Sequence, residues 1–201
     1  QVEDDEVLSR DWIPLRFPEE QYTVSNLAEL WGNVLGALAD TLEDKGEATE
    51  QIDQKLILLE KLPIEEREKQ TLEIINEWCT LNNKRLLLLI DSTDLLFDNL
   101  SDSKKGKKDA GSINLWRLRK TLQSNPHLFW LGGSYQALEA DDLYHDAFQD
   151  FFHLVELKPL SLEEIQEAMR AMAKTFGTGR GTSGEEAEKD IMQALTERPE
   201  R

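Results

Sequence analysis

The chain has 201 residues, 39% hydrophobic and 31% charged, with one cysteine and a formal net charge of −17. This length is enough to bury a core of one domain, or of one domain and part of another. A single cysteine excludes an internal disulfide framework. No stretch has the roughly 18 apolar residues that cross a bilayer. The excess of acidic residues works against binding to the phosphate backbone of a nucleic acid. We therefore expect a cytoplasmic protein, with no membrane contact and no direct nucleic-acid binding by this segment.

The first part of the sequence predicts a strand, then helices. Residues 12–17 form a short apolar run that is typical of a strand. In residues 24–42 apolar side chains recur at helical spacing, which leaves one face to bury. A polar connection follows over about residues 46–54, and Pro63 then suits the first turn of another helix. A strand followed by helices and a second strand is the unit of a parallel sheet.

The second strand is the most informative segment. Leu86 to Ile90 is an unbroken apolar run that ends on Asp91, and a second carboxylate follows at Asp94. The lack of alternation predicts a strand that is buried on both faces. An acid at the carboxyl end of such a strand lies where open α/β sheets bind ligands. The alternative is a core strand that ends in an Asp-capped turn without a ligand, and the motif alone leaves both interpretations open.

Two more strands are predicted, at 128–131 and at 153–157. The first is closed by Gly132-Gly133-Ser134. Beyond residue 157 the pattern predicts only helices. The first of these helices starts with Ser161 and Glu164 at the spacing of a capping box.

The order of these features resembles the P-loop ATPases of the AAA+ and STAND groups, over about residues 8–176. It is most similar to ATPases of the Orc1/Cdc6 branch and to STAND signalling nucleotidases. The resemblance implies an α/β fold, a three-layer α/β/α P-loop NTPase-like parallel sheet followed by the start of a helical lid. Residues 1–157 would be a partial nucleotide-binding core and residues 158–201 the beginning of the lid.

The same resemblance implies a site for ATP and Mg²⁺. The strand that ends at Asp91 would be the Walker B strand, and Asp91 would bind the Mg²⁺ of the nucleotide. Ser134 would occupy the sensor 1 position and detect the γ-phosphate. Many AAA+ enzymes place a Glu directly after the Walker B Asp to polarise the attacking water, but this chain has Ser92 there. Asp94 is the nearest carboxylate that would take that catalytic role.

The phosphate-binding loop of this family, Gly-x-x-x-x-Gly-Lys-Ser/Thr, has no match in the sequence. The nearest candidate, Gly106-Lys107, is followed by Lys108 instead of a hydroxyl residue. In the resembled family this loop and its helix come just before a segment like residues 7–12. We therefore expect the chain to be a piece of a longer ATPase, inactive alone, with the loop about 20 to 40 residues before Trp12.

The resemblance implies that the full-length protein is a conformational switch that is driven by ATP and acts on protein partners. Two alternatives remain. The first is a catalytically inactive, nucleotidase-like interaction module, which Ser92 and the missing loop favour. The second is the ATPase of a DNA-associated complex, by analogy with the Orc1/Cdc6 branch, and it requires a DNA-reading domain outside this chain. Fold-level analogy does not choose between them.

The remaining polar clusters are expected to be structural. Asp141, Asp142 and His145 have a helical spacing that suits a metal, but no second His or Cys lies nearby in the sequence. His127 and His153 each begin a predicted strand and have no nucleophile near them in the sequence. We expect a solvated helix face for the first group and turn or edge roles for the two histidines.

Overall fold

The computed structural model describes residues 6–17, 24–101, 108–135, 147–148 and 150–176. The chain divides into two compact units, residues 1–153 and residues 154–201. Among the described residues, no helix is both long enough and apolar enough to cross a membrane.

Helices and strands alternate in the first unit. Its described helices are α1 (Glu6–Asp11), α2 (Leu27–Asp44), α3 (Glu50–Leu59), α4 (Ile64–Asn82), α5 (Thr93–Leu100) and α6 (Lys108–Ser124). Its described strands are β1 (Trp12–Arg16), β2 (Arg85–Ile90) and β3 (Leu128–Gly132). The described part of the second unit contains helix α7 (Leu162–Phe176).

The three strands form one parallel sheet in the order β1-β2-β3, so their spatial order follows the chain order. Leu87 in the central strand pairs with Pro14 on one side and with Phe129 on the other. Both crossover connections therefore step in the same direction across the sheet. Right-handed crossovers then place their helices on the same face. The predicted α/β class with a parallel sheet is confirmed at this level.

That face of the sheet carries the core of the first unit. Leu15, Leu86 and Leu88 on the strands are fully buried there. The largest fully buried side chains of the helices are Trp31 of α2 and Phe97 of α5, which belong to the same cluster. Helix α2 contributes most because ten of its 18 residues are buried, more than one narrow stripe would supply.

The opposite face of the sheet is much less covered. We call it the bare face. Its apolar side chains on the strands include Trp12, Leu87, Leu89, Phe129 and Leu131, which alternate with the core residues, and the buried Pro14 of β1 lies on the same face. The first three are half-buried, whereas Phe129 and Leu131 on β3 are 53% and 56% exposed. The expectation that the central strand is buried on both faces is therefore wrong for this face. Within the described part of the first unit, the buried side chains of the strands lie on one face of the sheet, and the three-layer arrangement stays a prediction.

The predicted fourth strand at residues 153–157 is wrong. This segment has no regular secondary structure, and it pairs with no other described strand. Val155 is 72% exposed and Leu157 is 90% exposed. The apolar residues at alternate positions resemble a strand in the sequence, but a strand also needs a neighbour for its backbone hydrogen bonds.

The helix start predicted in the second unit is confirmed. The Ser161 N–H donates to Glu164 Oε2 at 2.7 Å, and the Glu164 N–H donates to Ser161 Oγ at 3.2 Å. These reciprocal bonds satisfy two N–H groups that a helix start leaves without intrahelical partners.

Candidate functional site

The carboxyl ends of β2 and β3 lie side by side and are joined by backbone hydrogen bonds. Ile90 pairs with Gly132 in the sheet register. One residue further, the Gly133 N–H donates to the Ile90 carbonyl at 2.9 Å, and the Thr93 N–H donates to the Gly133 carbonyl at 2.8 Å. The turn after β2 and the turn after β3 are therefore held together, at the sheet edge where α/β proteins bind ligands.

Asp91 stands in the tight turn that leaves β2. Its Oδ1 accepts a hydrogen bond from the Ser92 N–H at 2.8 Å, and its side chain is exposed. Ser92 has left-handed backbone angles, φ 52° and ψ 46°, and is buried. Such a conformation costs a non-glycine residue of the order of 1–3 kcal/mol, and the hydrogen bond to Asp91 offsets part of that. The turn thus keeps one oxygen of Asp91 close to the backbone and leaves the carboxylate open to solvent.

The two glycines after β3 pack tightly against this turn. A β-carbon at position 132 would lie 2.3 Å from Thr93 Oγ1 and 2.8 Å from Trp130 Nε1, distances that real β-carbons do not tolerate. A β-carbon at position 133 would lie 3.1 Å from Asp91 Oδ1, which is a tight contact. Glycine at these two positions lets the β3 chain approach Asp91 and Thr93 closely.

The other predicted site residues lie on the two elements that meet here. Asp94 is half-buried in the first turn of α5, where the helix dipole favours a negative charge. Ser134 is exposed and directly follows Gly133, the residue that closes against Asp91. Sequence reasoning did not single out Thr93, which is 1% exposed and ties α5 to β3. The sequence signal that could have indicated this contact is the pair of glycines, Gly132 and Gly133, that follows the short apolar run of β3.

The chemistry of the site suits a cation that arrives with a phosphate ligand. Within the ranges the structure describes, no three His, Cys, Asp or Glu side chains come together as a metal cluster. Magnesium is commonly held by one or two carboxylates, several waters and the phosphates of the substrate. Asp91 supplies one exposed oxygen ligand of that kind, so the chemistry of this carboxylate is compatible with Mg²⁺.

The remaining candidates do not add to this site. Asp141, Asp142 and His145 lie outside the described residues. The Nε2 of His127 lies 3.3 Å from Thr80 Oγ1, and the His127 N–H donates to Asn125 Oδ1 at 3.0 Å. These contacts fix the turn before β3, at the opposite end of that strand, which is a structural role.

Comparisons of the chain with protein families, with curated proteins and with solved structures gave no match. The role of the site is therefore inferred from its own residues. The site contains the exposed carboxylate of Asp91 at the end of the central strand and the buried Ser92 in the turn beside it. The backbone at the end of β3 lies close to both.

Proposed function

We propose that the chain is part of the nucleotide-binding core of a P-loop ATPase of the AAA+/STAND group, with ATP and Mg²⁺ at the carboxyl ends of β2 and β3. The observation that carries this proposal is the exposed Asp91 carboxylate at the end of the central parallel strand. Ligands of open α/β sheets bind in the crevice at the carboxyl ends of the strands.

In this proposal Asp91 holds the cation and Ser134 offers its hydroxyl to a terminal phosphate. Magnesium, when held there by Asp91, would supply positive charge that offsets the charge of the phosphates. Because the turns after β2 and β3 are hydrogen-bonded to each other, a ligand that contacts both residues acts on one connected structure. Binding energy would then favour one conformation of the whole protein, and protein partners would detect that conformation.

Hydrolysis is the part of the proposal that depends on Asp94. Ser92 follows Asp91 directly, its side chain carries no carboxylate, and the residue is buried. A general base must reach the attacking water within about 3 Å, or through a second water. Asp94 is the carboxylate next along the chain, half-buried in the first turn of α5. We therefore propose nucleotide binding as the primary function and assign any turnover to Asp94.

A second candidate function is an interaction module that keeps the nucleotidase scaffold without turnover. The replacement of the usual Glu by the buried Ser92 favours it, and so does the apolar surface of the bare face. A third candidate, the ATPase of a DNA-associated complex, would need a separate DNA-reading domain, because the net charge of −17 works against direct contact.

Nucleotide binding is tested in the complete polypeptide that contains these residues. Magnesium-dependent binding of a fluorescent ATP analogue is measured for the unaltered protein, for Asp91→Asn and for the control Asp40→Asn. Asp40 is an exposed carboxylate near the end of α2, so its replacement removes the same charge away from the site. We expect Asp91→Asn to weaken binding at least about tenfold, equivalent to about 1.4 kcal/mol. The control should bind as the unaltered protein does.

Equal affinities for the two variants and the unaltered protein would remove Asp91 from the site. No nucleotide binding by the unaltered protein would select the interaction module. If binding is present, Asp94→Asn then separates the two steps, because it should lower ATP turnover and leave the affinity for the nucleotide unchanged.

A further inference from the structure

The second half of α6 is cationic, although the protein as a whole is strongly acidic. Residues 113–124 contain Arg117, Arg119 and Lys120 and no acidic residue, whereas the chain carries a net charge of −17. Arg117 and Lys120 are exposed, and Arg119 is half-buried. A local excess of positive charge in an acidic chain attracts a negatively charged partner.

Two large apolar side chains lie on the outer side of the same helix. Ile113 is 56% exposed and Trp116 is 46% exposed. Residues at the i, i+3, i+4 and i+7 positions share one face of a helix. The four residues with this spacing, which we call the α6 surface, are Ile113, Trp116, Arg117 and Lys120.

Trp116 is held in place within the protein itself. The guanidinium of Arg119 lies 5.5 Å from the centre of the Trp116 ring and 5.2 Å from the centre of the Phe151 ring. The Nη1 of Arg119 also donates to the Ala147 carbonyl at 2.8 Å. A side chain that is already ordered loses less entropy on binding, and Trp and Arg are enriched among the residues that dominate binding energy at protein interfaces.

A polar groove continues the α6 surface toward the end of the helix. Thr121 and Ser124 follow Arg117 by four and seven residues, so they lie one and two turns further along that side. With Asn76 of α4 they line a groove of about 350 Å³ between the two helices. A segment that lies along α6 would therefore contact apolar, cationic and hydrogen-bonding groups.

We infer that the α6 surface binds an acidic amphipathic helix of a partner protein. The apolar side chains of that helix pack on Ile113 and Trp116, and its carboxylates pair with Arg117 and Lys120. Arg117 donates to Glu68 on α4, but 46% of its side chain is exposed and a guanidinium has five N–H donors, so a second carboxylate can reach it. The inference does not depend on nucleotide binding.

A nucleic acid fits the same surface less well. Affinity for a phosphate backbone comes from many cations that replace condensed counterions, but residues 113–124 supply three, and Arg117 is already paired with Glu68. The chain's net charge of −17 adds repulsion. The exposed Ile113 contributes no contact to a phosphate, whereas it adds apolar area against a protein helix.

Peptide selection on the complete polypeptide tests the inference. A displayed library of random peptides of about 16 residues, roughly four helical turns, is selected on the unaltered protein after removal of peptides that bind Trp116→Ala. We expect the recovered peptides to be net negative, with apolar residues at helical spacing. The most frequent one, made synthetically, should bind Trp116→Ala at least about tenfold more weakly than the unaltered protein. Lys120→Glu should weaken binding about threefold, and by less at high salt.

Leu81→Ala and Lys45→Glu are the matched controls. Leu81 is 85% exposed on α4 and Lys45 is exposed at the end of α2, so each change alters the same kind of group away from α6. Both variants should bind the peptide as the unaltered protein does. Urea unfolding shows which variants are folded, and Ile113→Ser replaces Trp116→Ala if that variant does not fold.

Equal peptide affinities of Trp116→Ala and the unaltered protein would overturn the inference, and so would the recovery of no peptide or of net positive peptides. Tighter binding of a single-stranded oligothymidylate, lost in Trp116→Ala, would overturn it in favour of a nucleic acid. Self-association that Trp116→Ala abolishes would overturn it in favour of a second copy. Asp91→Asn should leave the peptide affinity unchanged, so this inference and the proposed nucleotide binding fail separately.

Discussion

The main-chain N–H of Thr93 donates to the carbonyl oxygen of Gly133 at 2.8 Å, which joins the first turn of α5 to the end of β3. The N–H of the same glycine donates to Ile90, so three elements meet through one residue. Asp91 and Ser134 each lie next to one of these bonded residues. Their relative position is consequently fixed by backbone hydrogen bonds and does not depend on a mobile loop.

Because the end of β3 lies close to the turn after β2, replacing each of its two glycines by alanine should lower the stability of the protein by a different amount. Gly132→Ala should destabilise the protein by about 1–3 kcal/mol, the usual cost of forcing atoms into a packed site, because its β-carbon would meet Thr93. Gly133→Ala should cost less than about 1 kcal/mol, since an exposed carboxylate can yield slightly. Urea unfolding measures both variants.

Gly36→Ala in α2 is the matched control for these changes. A β-carbon at this position meets nothing within 4 Å, so alanine should stabilise the helix by about 0.5–1 kcal/mol. A Gly132→Ala variant as stable as the unaltered protein would show that the contact with Thr93 relaxes at no cost.

The start of α2 predicts a loss of stability in acid. Asn26 Oδ1 accepts from the Glu29 N–H at 3.0 Å, and Asn26→Ala should therefore cost about 0.5–2 kcal/mol, whereas Asn26→Asp keeps the cap.

Partial burial acts to raise the pKa of Glu29, but hydrogen bonds from Ser25 and Asn26 outweigh it and hold that pKa below 4.5. A lowered folded pKa means stabilisation that is present above pH 4.5 and lost as the pH falls through the folded value.

Glu29→Gln should therefore be less stable than the unaltered protein at pH 7. The difference should shrink as the pH falls below 4.5, when measured by thermal unfolding between pH 3 and pH 7. A difference that is constant over this range would contradict the assigned pKa shift of Glu29.

Glu68 predicts the opposite pH dependence. Burial raises the pKa of this carboxyl above its ordinary 4.5, although Arg117 donates to it at 2.5 Å and acts against the shift. Its contribution to stability is full below pH 4.5 and is lost as the pH rises through the folded pKa. Glu68→Gln, which resembles the protonated form, should therefore gain stability relative to the unaltered protein as the pH rises from 4 to 7.

The partner of Glu68 provides a second test. Arg117→Leu removes the cation and leaves a buried carboxylate, so it should cost about 1–3 kcal/mol at pH 7 and less at pH 4. In a Glu68→Gln background the same change should cost less at pH 7. A cost that is equal in both backgrounds would show that the two side chains do not interact.

Cys79 predicts an unreactive thiol in the folded protein. It is completely buried on α4, and burial raises its pKa to about 12. At pH 8 almost none of it is the reactive thiolate. Ellman's reagent should release less than one equivalent from native protein over an hour and one equivalent at once in guanidinium. Rapid reaction under native conditions would mean that α4 opens locally.

The strands were predictable from the sequence because β2 and β3 contain short apolar runs, residues 86–90 and 128–131, with polar or glycine boundaries. An apolar run does not reveal whether both of its faces are covered, and for that reason the incomplete burial of Leu87 and Leu89 was not predicted. Residues 153–157 show the same limit, because apolar residues alone do not supply a pairing partner. The Thr93 to Gly133 hydrogen bond joins residues forty positions apart, and no local spacing encodes it.

Pro14 makes the two edges of the described sheet different. Since β1 lacks a backbone donor at its centre, chains that associate through their sheets meet a blocked side and an available side. Among the described strands, only the β3 edge has every backbone N–H, so association of these molecules through sheet edges should stop at short assemblies. The proline that completes an ordinary edge strand thus also acts as a terminator of intermolecular polymerisation.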